Sequence, residues 1–111
     1  MGNRCENPGR LSKLRCSWDE VLQMSCSMGQ VISVISALYG RKNATICADD
    51  TYPMNTNCEA PNALHVVREE CDGRSSCSIY TSNVRQFGAD PCPGTPKYIQ
   101  VDYTCYSRGN H

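Results

Sequence analysis

The densest set of chemically useful groups in the chain lies in the nine-residue segment Asp90-Pro91-Cys92-Pro93-Gly94-Thr95-Pro96-Lys97-Tyr98. It offers the carboxylate of Asp90, a backbone N–H at Gly94, the hydroxyl of Thr95 and the ammonium group of Lys97. A carboxylate accepts hydrogen bonds from hydroxyls and an ammonium group donates to them, so this mix suits a neutral polyhydroxylated ligand. One cysteine and three prolines restrict the backbone, which reduces the entropy cost of binding. The alternative is a plain turn, in which Asp90 caps backbone amides and Lys97 is solvated.

Catalysis and metal binding find little support elsewhere in the chain. The two histidines are His65, on a predicted helix, and His111, the last residue, and no G-x-S-x-G motif is present. We therefore predict that the protein is not an enzyme and uses no cofactor. The acidic and amide residues between Asp49 and Glu59 lack the D-x-D-x-D-G register of a calcium loop, so no metal site is predicted.

The charge balance argues against nucleic acid as a partner, and the length of the apolar stretches argues against membrane insertion. Lys and Arg total 11, and Asp and Glu total 11, so the formal net charge is zero. A nucleic-acid binder would show a basic excess. The longest apolar-rich stretch, Val31–Leu38, is far shorter than the roughly 20 residues that span a bilayer, so we expect no membrane insertion by this segment.

Nine cysteines are the main clue to the cellular compartment, and they lie at positions 5, 16, 26, 47, 58, 71, 77, 92 and 105. Even the tightest pair, Cys71 and Cys77, has five residues between, which does not match a structural zinc site. The spacing favours a disulfide framework in a secreted or extracellular domain. Asn43-Ala44-Thr45 is an N-glycosylation sequon and supports an extracellular glycoprotein.

The local patterns predict mostly antiparallel strands with one main α-helix and long stapled loops. Predicted strands are Val21–Ser25, Val31–Tyr39, Ser76–Ser82 and Lys97–Cys105. The helix is predicted over Asn62–Cys71, with Asn62 as its cap, Leu64, Val67 and Cys71 on one face, and Gly73 as its stop. Residues 47–60 and 86–96 are predicted loops, and residues 1–13, with Cys5, are predicted to be a tail.

Two motifs resemble the signatures of the rhamnose/galactose-binding lectins, the sea urchin egg lectin family whose module also occurs in latrophilin receptors. Tyr39-Gly40-Arg41 resembles A-N-Y-G-R, with Leu38 in place of Asn, and the segment Asp90–Tyr98 resembles D-P-C-x-G-T-x-K-Y. The eight cysteines from Cys16 onward match the family's eight in order. The resemblance implies an α+β fold, a small sandwich-like arrangement of antiparallel strands with one main helix and four disulfides. It places the domain at residues 14–106, between the N-terminal tail (1–13) and a C-terminal tail (107–111).

The resemblance also implies a disulfide pairing, which spacing alone leaves open: Cys16–Cys47, Cys26–Cys105, Cys58–Cys92 and Cys71–Cys77. Cys5 is then the odd cysteine. Since the founding lectin of the family is a disulfide-linked dimer with an extra N-terminal cysteine, we hypothesise that Cys5 forms an interchain bridge in a homodimer.

The sugar-binding residues that the resemblance implies are Tyr39, Asn83, Asp90, Gly94 and Lys97. In this expectation Tyr39 packs on the sugar ring, Asp90 and Lys97 hold vicinal hydroxyls, and Arg41 braces the loops. The family usually has Glu after the first of the eight cysteines, but here Ser17 follows Cys16. Asp19 or Glu20 is a candidate replacement for that carboxylate. The stretch from Asn83 to Ala89 is longer than usual, which affects the placement of Asn83.

The leading hypothesis is a lectin domain, secreted or on the extracellular face of a receptor, that binds L-rhamnose- or D-galactose-type sugars without calcium. The alternative is a latrophilin-like adhesion-receptor module that binds a protein partner on a cell surface and has a weakened or lost sugar site. Ser17 and the long loop before Asp90 favour the alternative, and the acidic loop between Cys47 and Cys58 resembles the latrophilin module more than the egg lectins. A toxin or defence protein on the same scaffold is a third class.

Overall fold

The computed structural model of the chain describes residues 9–81 and 84–107, with the backbone alone for residues 84 and 85. Within these residues the elements are β1 (Leu11–Cys16), β2 (Val21–Ser25), β3 (Gln30–Arg41), β4 (Cys58–Glu59), α1 (Ala63–Cys71), β5 (Ser76–Tyr80) and β6 (Tyr98–Ser107). A short 3₁₀ helix, Val84–Phe87, lies between β5 and β6.

The strands form two antiparallel sheets. The larger sheet has the order β1-β6-β3-β4, and the smaller one pairs β2 with β5. The two long central strands, β3 and β6, carry the β-branched and aromatic residues that suit a pleated, half-buried surface. The predicted α+β arrangement of antiparallel strands with one main helix is confirmed.

The hydrophobic core includes side chains from both sheets and from α1. Its most buried aliphatic members are Leu22 and Met24 of β2, Ile32 and Val34 of β3, Val67 of α1, Ile79 of β5 and Val101 of β6. The alternation predicted for β6 is present, since Ile99, Val101 and Tyr103 are buried while Gln100 and Asp102 are only partly so. On α1 the fully buried residues are Ala63, Val67 and Cys71, with Leu64 partly buried beside them.

The C-terminal end of α1 is fixed on β3 at a bulge between Val34 and Ser36. The backbone N–H of Val34 donates to Oδ1 of Asp72 (2.8 Å), and Nε of Arg68 donates to the Val34 carbonyl (3.2 Å). Gly73 follows with a φ of +82°, as predicted for the residue that ends the helix. At the bulge, the backbone N–H and carbonyl of Val34 therefore bond to side chains at the end of α1, and these bonds hold the helix against the sheet.

Three local predictions are corrected. Residues 11–13, expected in the tail, belong to β1, which pairs with β6 from Leu11↔Tyr103 to Cys16↔Tyr98. Local sequence does not predict this strand, because it is held by contacts with a distant part of the chain. The side chains of Arg10 and Ser12 both donate hydrogen bonds to the carboxylate of Asp102 in β6. Strand β5 ends at Tyr80, and Ser82 lies outside the described residues.

The third correction concerns the start of α1, where Asn62 occupies the N-cap position without making a side-chain cap hydrogen bond. Its Oδ1 is buried and has no partner among the described residues. The first helical N–H, that of Ala63, instead approaches the carbonyl of Ala60 (3.4 Å), because Asn62 has φ −104° and ψ 14°, outside the extended region that a capping side chain needs.

Four disulfides hold the loops to the sheets: Cys16–Cys47, Cys26–Cys105, Cys58–Cys92 and Cys71–Cys77. These are the pairs that the family resemblance implies. Cys58–Cys92 connects β4 to the segment before β6, and Cys16–Cys47 connects the end of β1 to the loop after β3. Native disulfides in small extracellular domains typically stabilise by about 2–5 kcal/mol each.

The end of β3 requires Gly40. A Cβ at this position would lie 2.2 Å from the carbonyl oxygen of Cys58, because β4 approaches the backbone directly opposite. The glycine of the Tyr39-Gly40-Arg41 motif therefore permits β4, and with it the Cys58–Cys92 disulfide, to lie against β3.

The next residue, Arg41, is fully buried. Its guanidinium donates three hydrogen bonds to backbone carbonyls: Nε to Pro96 (2.8 Å), Nη1 to Asn43 (2.6 Å) and Nη2 to Cys47 (2.8 Å). The guanidinium also lies 5.3 Å from the centre of the Tyr98 ring, within cation–π range. One side chain thus joins the loop after β3 to the loop before β6.

In the part of the chain that the structure describes, no helix is long and apolar enough to cross a bilayer.

We predict that Arg41→Ala destabilises the domain by about 3 kcal/mol or more, because it removes three charge-assisted hydrogen bonds and empties the buried position of the guanidinium. Urea denaturation with the disulfides intact measures the change. Arg41→Lys is expected to restore only part of the loss, since an ammonium group cannot reproduce the planar fork. Arg10→Ala, which removes an exposed ion pair with Asp102, is the matched control and should cost about 1 kcal/mol or less. Similar effects of the two alanine substitutions would contradict this role for Arg41.

Candidate functional site

The segment from Asp90 to Lys97 forms a loop that is held at both ends. Cys92 is bonded to Cys58, and the carbonyl of Pro96 accepts from Arg41. The backbone N–H of Thr95 donates to the Cys92 carbonyl (3.1 Å), which closes a turn around Gly94. The loop therefore has one defined shape before any ligand arrives.

Lys97 braces this loop from within. Its Nζ donates to the carbonyls of Cys92 (3.0 Å) and Thr95 (2.6 Å) and forms an ion pair with Oδ1 of Asp90 (3.0 Å). Its side chain is only 11% exposed. An ammonium group has three hydrogens, and all three have acceptors here. Lys97 therefore braces the loop in the free protein, and its expected role as a donor to ligand hydroxyls stays a prediction.

Asp90 is the exposed partner of this pair, with 46% of its side chain accessible. Its Oδ1 accepts from the N–H of Cys92 (2.9 Å) as well as facing Lys97. Among the side chains that the structure describes, which leave out those of residues 82–85, none donates a hydrogen bond to Oδ2 of Asp90. Partial burial, the largest influence, raises the pKa of Asp90, but the hydrogen bonds from Cys92 and Lys97 and the charge of Lys97 together lower it below the usual range.

Tyr39 lies beside Asp90 but is 94% buried, with 6% of its surface exposed. Its ring stacks on Phe87, with 4.8 Å between the ring centres and 20° between their planes. Burial, followed by the negative charge of Asp90, raises the pKa of Tyr39, so its hydroxyl stays protonated. Because Phe87 covers one ring face, Tyr39 does not present the open platform for a sugar ring that was expected. The sequence analysis missed Phe87, although a large apolar residue within a polar loop is a signal for such packing.

The predicted replacements for the family's glutamate do not reach the loop. Asp19 turns back on its own segment, where Oδ2 accepts from the N–H of Cys16 (2.8 Å). Glu20 is exposed, and its carbonyl accepts from the N–H of Thr81 (3.1 Å). Two clefts contain Ser17, one beside Gly94 and a narrow one beside Tyr39, and neither Asp19 nor Glu20 lines them. Asn83, the fifth expected sugar contact, lies outside the described residues.

A cleft of about 290 Å³ is lined by Ser17, Trp18, Asp49, Tyr52, Gly94, Thr95 and Pro96. We call it the Trp18 cleft. Trp18 and Tyr52 are exposed, at 61% and 53%. Asp49 accepts two hydrogen bonds through Oδ1, from the hydroxyl and the N–H of Thr51, and these lower its pKa. The sequence analysis missed this cleft; a tryptophan within the polar run Ser17-Trp18-Asp19-Glu20 is the signal that could have indicated it.

Two other features named from the sequence have a clear local structure. Asn43 is exposed, and its Oδ1 accepts from the N–H of Thr45 (2.7 Å), so the sequon is accessible; its use stays a prediction. Among the described residues, no group of three or more His, Cys, Asp or Glu side chains could hold a metal ion. The acidic loop between Cys47 and Cys58 is therefore an arrangement of turns, such as the one that Asp49 makes with Thr51.

The lowered pKa of Asp90 predicts an acid-sensitive contribution to stability. A carboxylate with a lowered pKa stabilises the fold above its unfolded pKa, about 3.9, and the contribution disappears as the pH falls through the folded value. Asp90→Asn should therefore be less stable than the natural sequence at neutral pH, and the difference should shrink below about pH 4. Urea midpoints across the acid range measure this. A difference that stays constant with pH would show that the charge of Asp90 does not stabilise the loop.

Comparison with known proteins shows the family to which the chain is similar. The family model for the D-galactoside/L-rhamnose binding SUEL lectin domain matches residues 24–105, most of the chain. The chain is 41% identical over 97 residues to a D-galactoside-specific lectin of Heliocidaris crassispina, covering 86% of this chain and 90% of that protein. It is 44% identical over 96 residues to the L-rhamnose-binding lectin ELEL-1 of Echinometra lucunter, covering 86% and 91%.

A receptor-type relative is also present. The chain is 35% identical over 102 residues to Latrophilin-like protein 1 of Caenorhabditis elegans, which covers 90% of this chain but only 10% of that much longer protein. The similarity to the two sea urchin lectins runs over nearly their whole length. The chain therefore belongs to the D-galactoside/L-rhamnose binding SUEL lectin domain family.

Proposed function

We propose that the chain binds D-galactose- or L-rhamnose-type sugars, without calcium, at the loop from Asp90 to Lys97. The observation that carries the proposal is the Asp90 carboxylate, which is fixed through Oδ1 and open to a ligand through Oδ2. A fixed carboxylate can accept hydrogen bonds from two neighbouring hydroxyls without losing freedom of its own. The names of the two sea urchin relatives support the choice of sugar.

The same reasoning supports a binding role with no catalytic step. Asp90 and Lys97 neutralise each other at 3.0 Å, and Asp90 is held ionised, which suits acceptance of hydrogen bonds rather than proton transfer near neutral pH. Four disulfides suit an oxidising, extracellular setting, either as a secreted lectin or as part of a receptor ectodomain.

Ser17 sets the expected strength of binding. Ser17 follows Cys16 and lines both the Trp18 cleft and a second, narrow cleft that contains Tyr39. A serine hydroxyl replaces the glutamate that family members usually have there, and a hydrogen bond to a charged group is typically worth about 1.5–3 kcal/mol. We therefore infer that a single sugar residue binds weakly.

Two substitutions test the site by calorimetric titration with D-galactose and L-rhamnose, with glucose as the control sugar. Asp90→Asn keeps the side-chain shape but removes the charge, and it should weaken binding at least about tenfold. Ser17→Glu restores the missing carboxylate and should strengthen binding about tenfold. Binding that is unchanged in both variants would move the sugar site away from this loop.

A second function has specific support. Phe87 packs on Tyr39, and the side chain of Ser17 is shorter than the glutamate that family members usually have there. The sugar contacts are therefore fewer than the family pattern implies. The similarity to the nematode latrophilin-like protein favours an adhesion-receptor module that binds a protein partner. If the natural sequence binds neither sugar and Ser17→Glu does not create binding, the protein-partner function replaces the lectin function.

A homodimer through Cys5 remains part of the proposal. The four disulfides use eight of the nine cysteines, and Cys5, outside the described residues, is the ninth. Two linked sites would cross-link glycans with much higher avidity than one. We expect the natively secreted protein to migrate as a dimer on a non-reducing gel and Cys5→Ser to migrate as a monomer. A monomeric natural protein would rule out the interchain bridge.

A further inference from the structure

We propose that the Trp18 cleft is a second carbohydrate subsite, which takes the sugar residue next to the one held at Asp90. The ligand is then a neutral oligosaccharide and not a single sugar. This inference rests on the proposed sugar binding at Asp90 and deepens it.

The walls of the Trp18 cleft are fixed relative to one another by three links. The disulfide Cys16–Cys47 joins the segment that carries Trp18 to the loop that carries Asp49 and Tyr52. The N–H of Ser17 donates to the Lys97 carbonyl (3.1 Å). The guanidinium of Arg41 donates to carbonyls in the other two segments, those of Cys47 and Pro96. The cleft is thus formed in the free protein, which lowers the ordering cost of binding.

The lining of the cleft has the chemistry of a sugar contact. Two large aromatic side chains, Trp18 and Tyr52, are more than half exposed in the same concave surface. Their ring faces carry partial negative charge and attract the weakly positive C–H groups of a pyranose. Asp49 uses Oδ1 for Thr51, and its Oδ2 makes no hydrogen bond in the described part of the chain, so it can accept from a hydroxyl.

Charge selects a neutral ligand. Asp49 is the one ionisable acid in the lining, and neither Lys nor Arg is among the lining residues. An anionic sugar would meet an uncompensated carboxylate, so sulfated or sialylated glycans are disfavoured. The volume of about 290 Å³ lies near the lower end of small-molecule sites, about 300 Å³, and suits one ring rather than a long chain.

The position of the cleft fixes which sugar residue it takes. Gly94 lines the Trp18 cleft and also lies at the turn of the loop that presents Asp90. A Cβ added at Gly94 would meet nothing within 4 Å, so the surface at this turn is open. A sugar held at Asp90 can therefore extend its glycosidic bond over Gly94 towards Trp18.

Trp18 is the single tryptophan of the chain, so its fluorescence reports on the cleft directly. The experiment titrates the natural sequence with methyl galactoside and with galactose-terminated disaccharides of different linkage, and follows both tryptophan emission and calorimetric heat. We expect at least one neutral disaccharide to bind more tightly than the monosaccharide and to shift the emission, while the monosaccharide leaves the emission nearly unchanged.

Matched substitutions separate the subsite from the primary site. Trp18→Ala and Tyr52→Ala should each weaken disaccharide binding about two- to tenfold and leave methyl galactoside binding unchanged, measured by calorimetry. Tyr106→Ala removes another half-exposed aromatic ring, at the far end of β6, and should change neither. Asp90→Asn should weaken both ligands.

The outcomes are distinguishable. Equal affinity for monosaccharide and disaccharides, with no change of emission, overturns the subsite and leaves sugar binding at Asp90 standing. If these galactosides and L-rhamnose, titrated in the same way, all fail to bind, the proposed function and the subsite are overturned together. Loss of both ligands in Trp18→Ala also overturns the subsite, because it makes Trp18 part of the primary site.

Discussion

The buried guanidinium of Arg41 is the interaction on which the rest of the binding face depends. A charge this deep is costly unless it is fully hydrogen-bonded, and here three backbone carbonyls and the Tyr98 ring surround it. Those carbonyls belong to two loops that have no regular secondary structure to hold them. The loops therefore take the positions that satisfy Arg41, and the groups they carry take their positions from the loops.

The basic residues of this face hold the loops in place, whereas its acidic residues remain accessible. Arg41 and Lys97 are cations, yet both donate hydrogen bonds to backbone carbonyls of the protein itself. The acids remain to face the ligand, since Asp90 and Asp49 each use Oδ1 internally and leave Oδ2 open. A surface that accepts hydrogen bonds and offers aromatic faces suits neutral polyols and does not suit anionic groups such as phosphates.

Much of this arrangement follows from sequence. The β-branched run of β3, the alternation in β6 and the spacing of Val67 and Cys71 on α1 are local patterns that predict their elements well. The cysteine pairing follows from resemblance to the family and not from spacing. Strand β1 could not be predicted in full, because its edge position depends on Asp102 in β6, which is distant along the chain.

The roles of the site residues were harder to predict than their presence. The sequence identifies Lys97 as a cation near Asp90 but cannot show that its three hydrogens are taken by the loop. Likewise, the Tyr39-Gly40-Arg41 motif does not show that Phe87 stacks on Tyr39, since that contact depends on how the 3₁₀ helix folds over β3. The lining of the Trp18 cleft comes from three segments far apart in sequence, so no local sequence pattern predicts it.

The central claim is that a loop fixed before binding presents Asp90 to a sugar. Amide chemical-shift mapping of the oxidised domain during a titration with D-galactose or L-rhamnose, against glucose, tests it most directly. The account predicts saturable shifts confined to the amides around Asp90, Gly94 and Lys97, with the hydrogen-bonded amides of β3 and β6 unmoved. Shifts spread over the sheets would contradict a preformed site, and no shifts with either sugar would contradict the sugar-binding function itself.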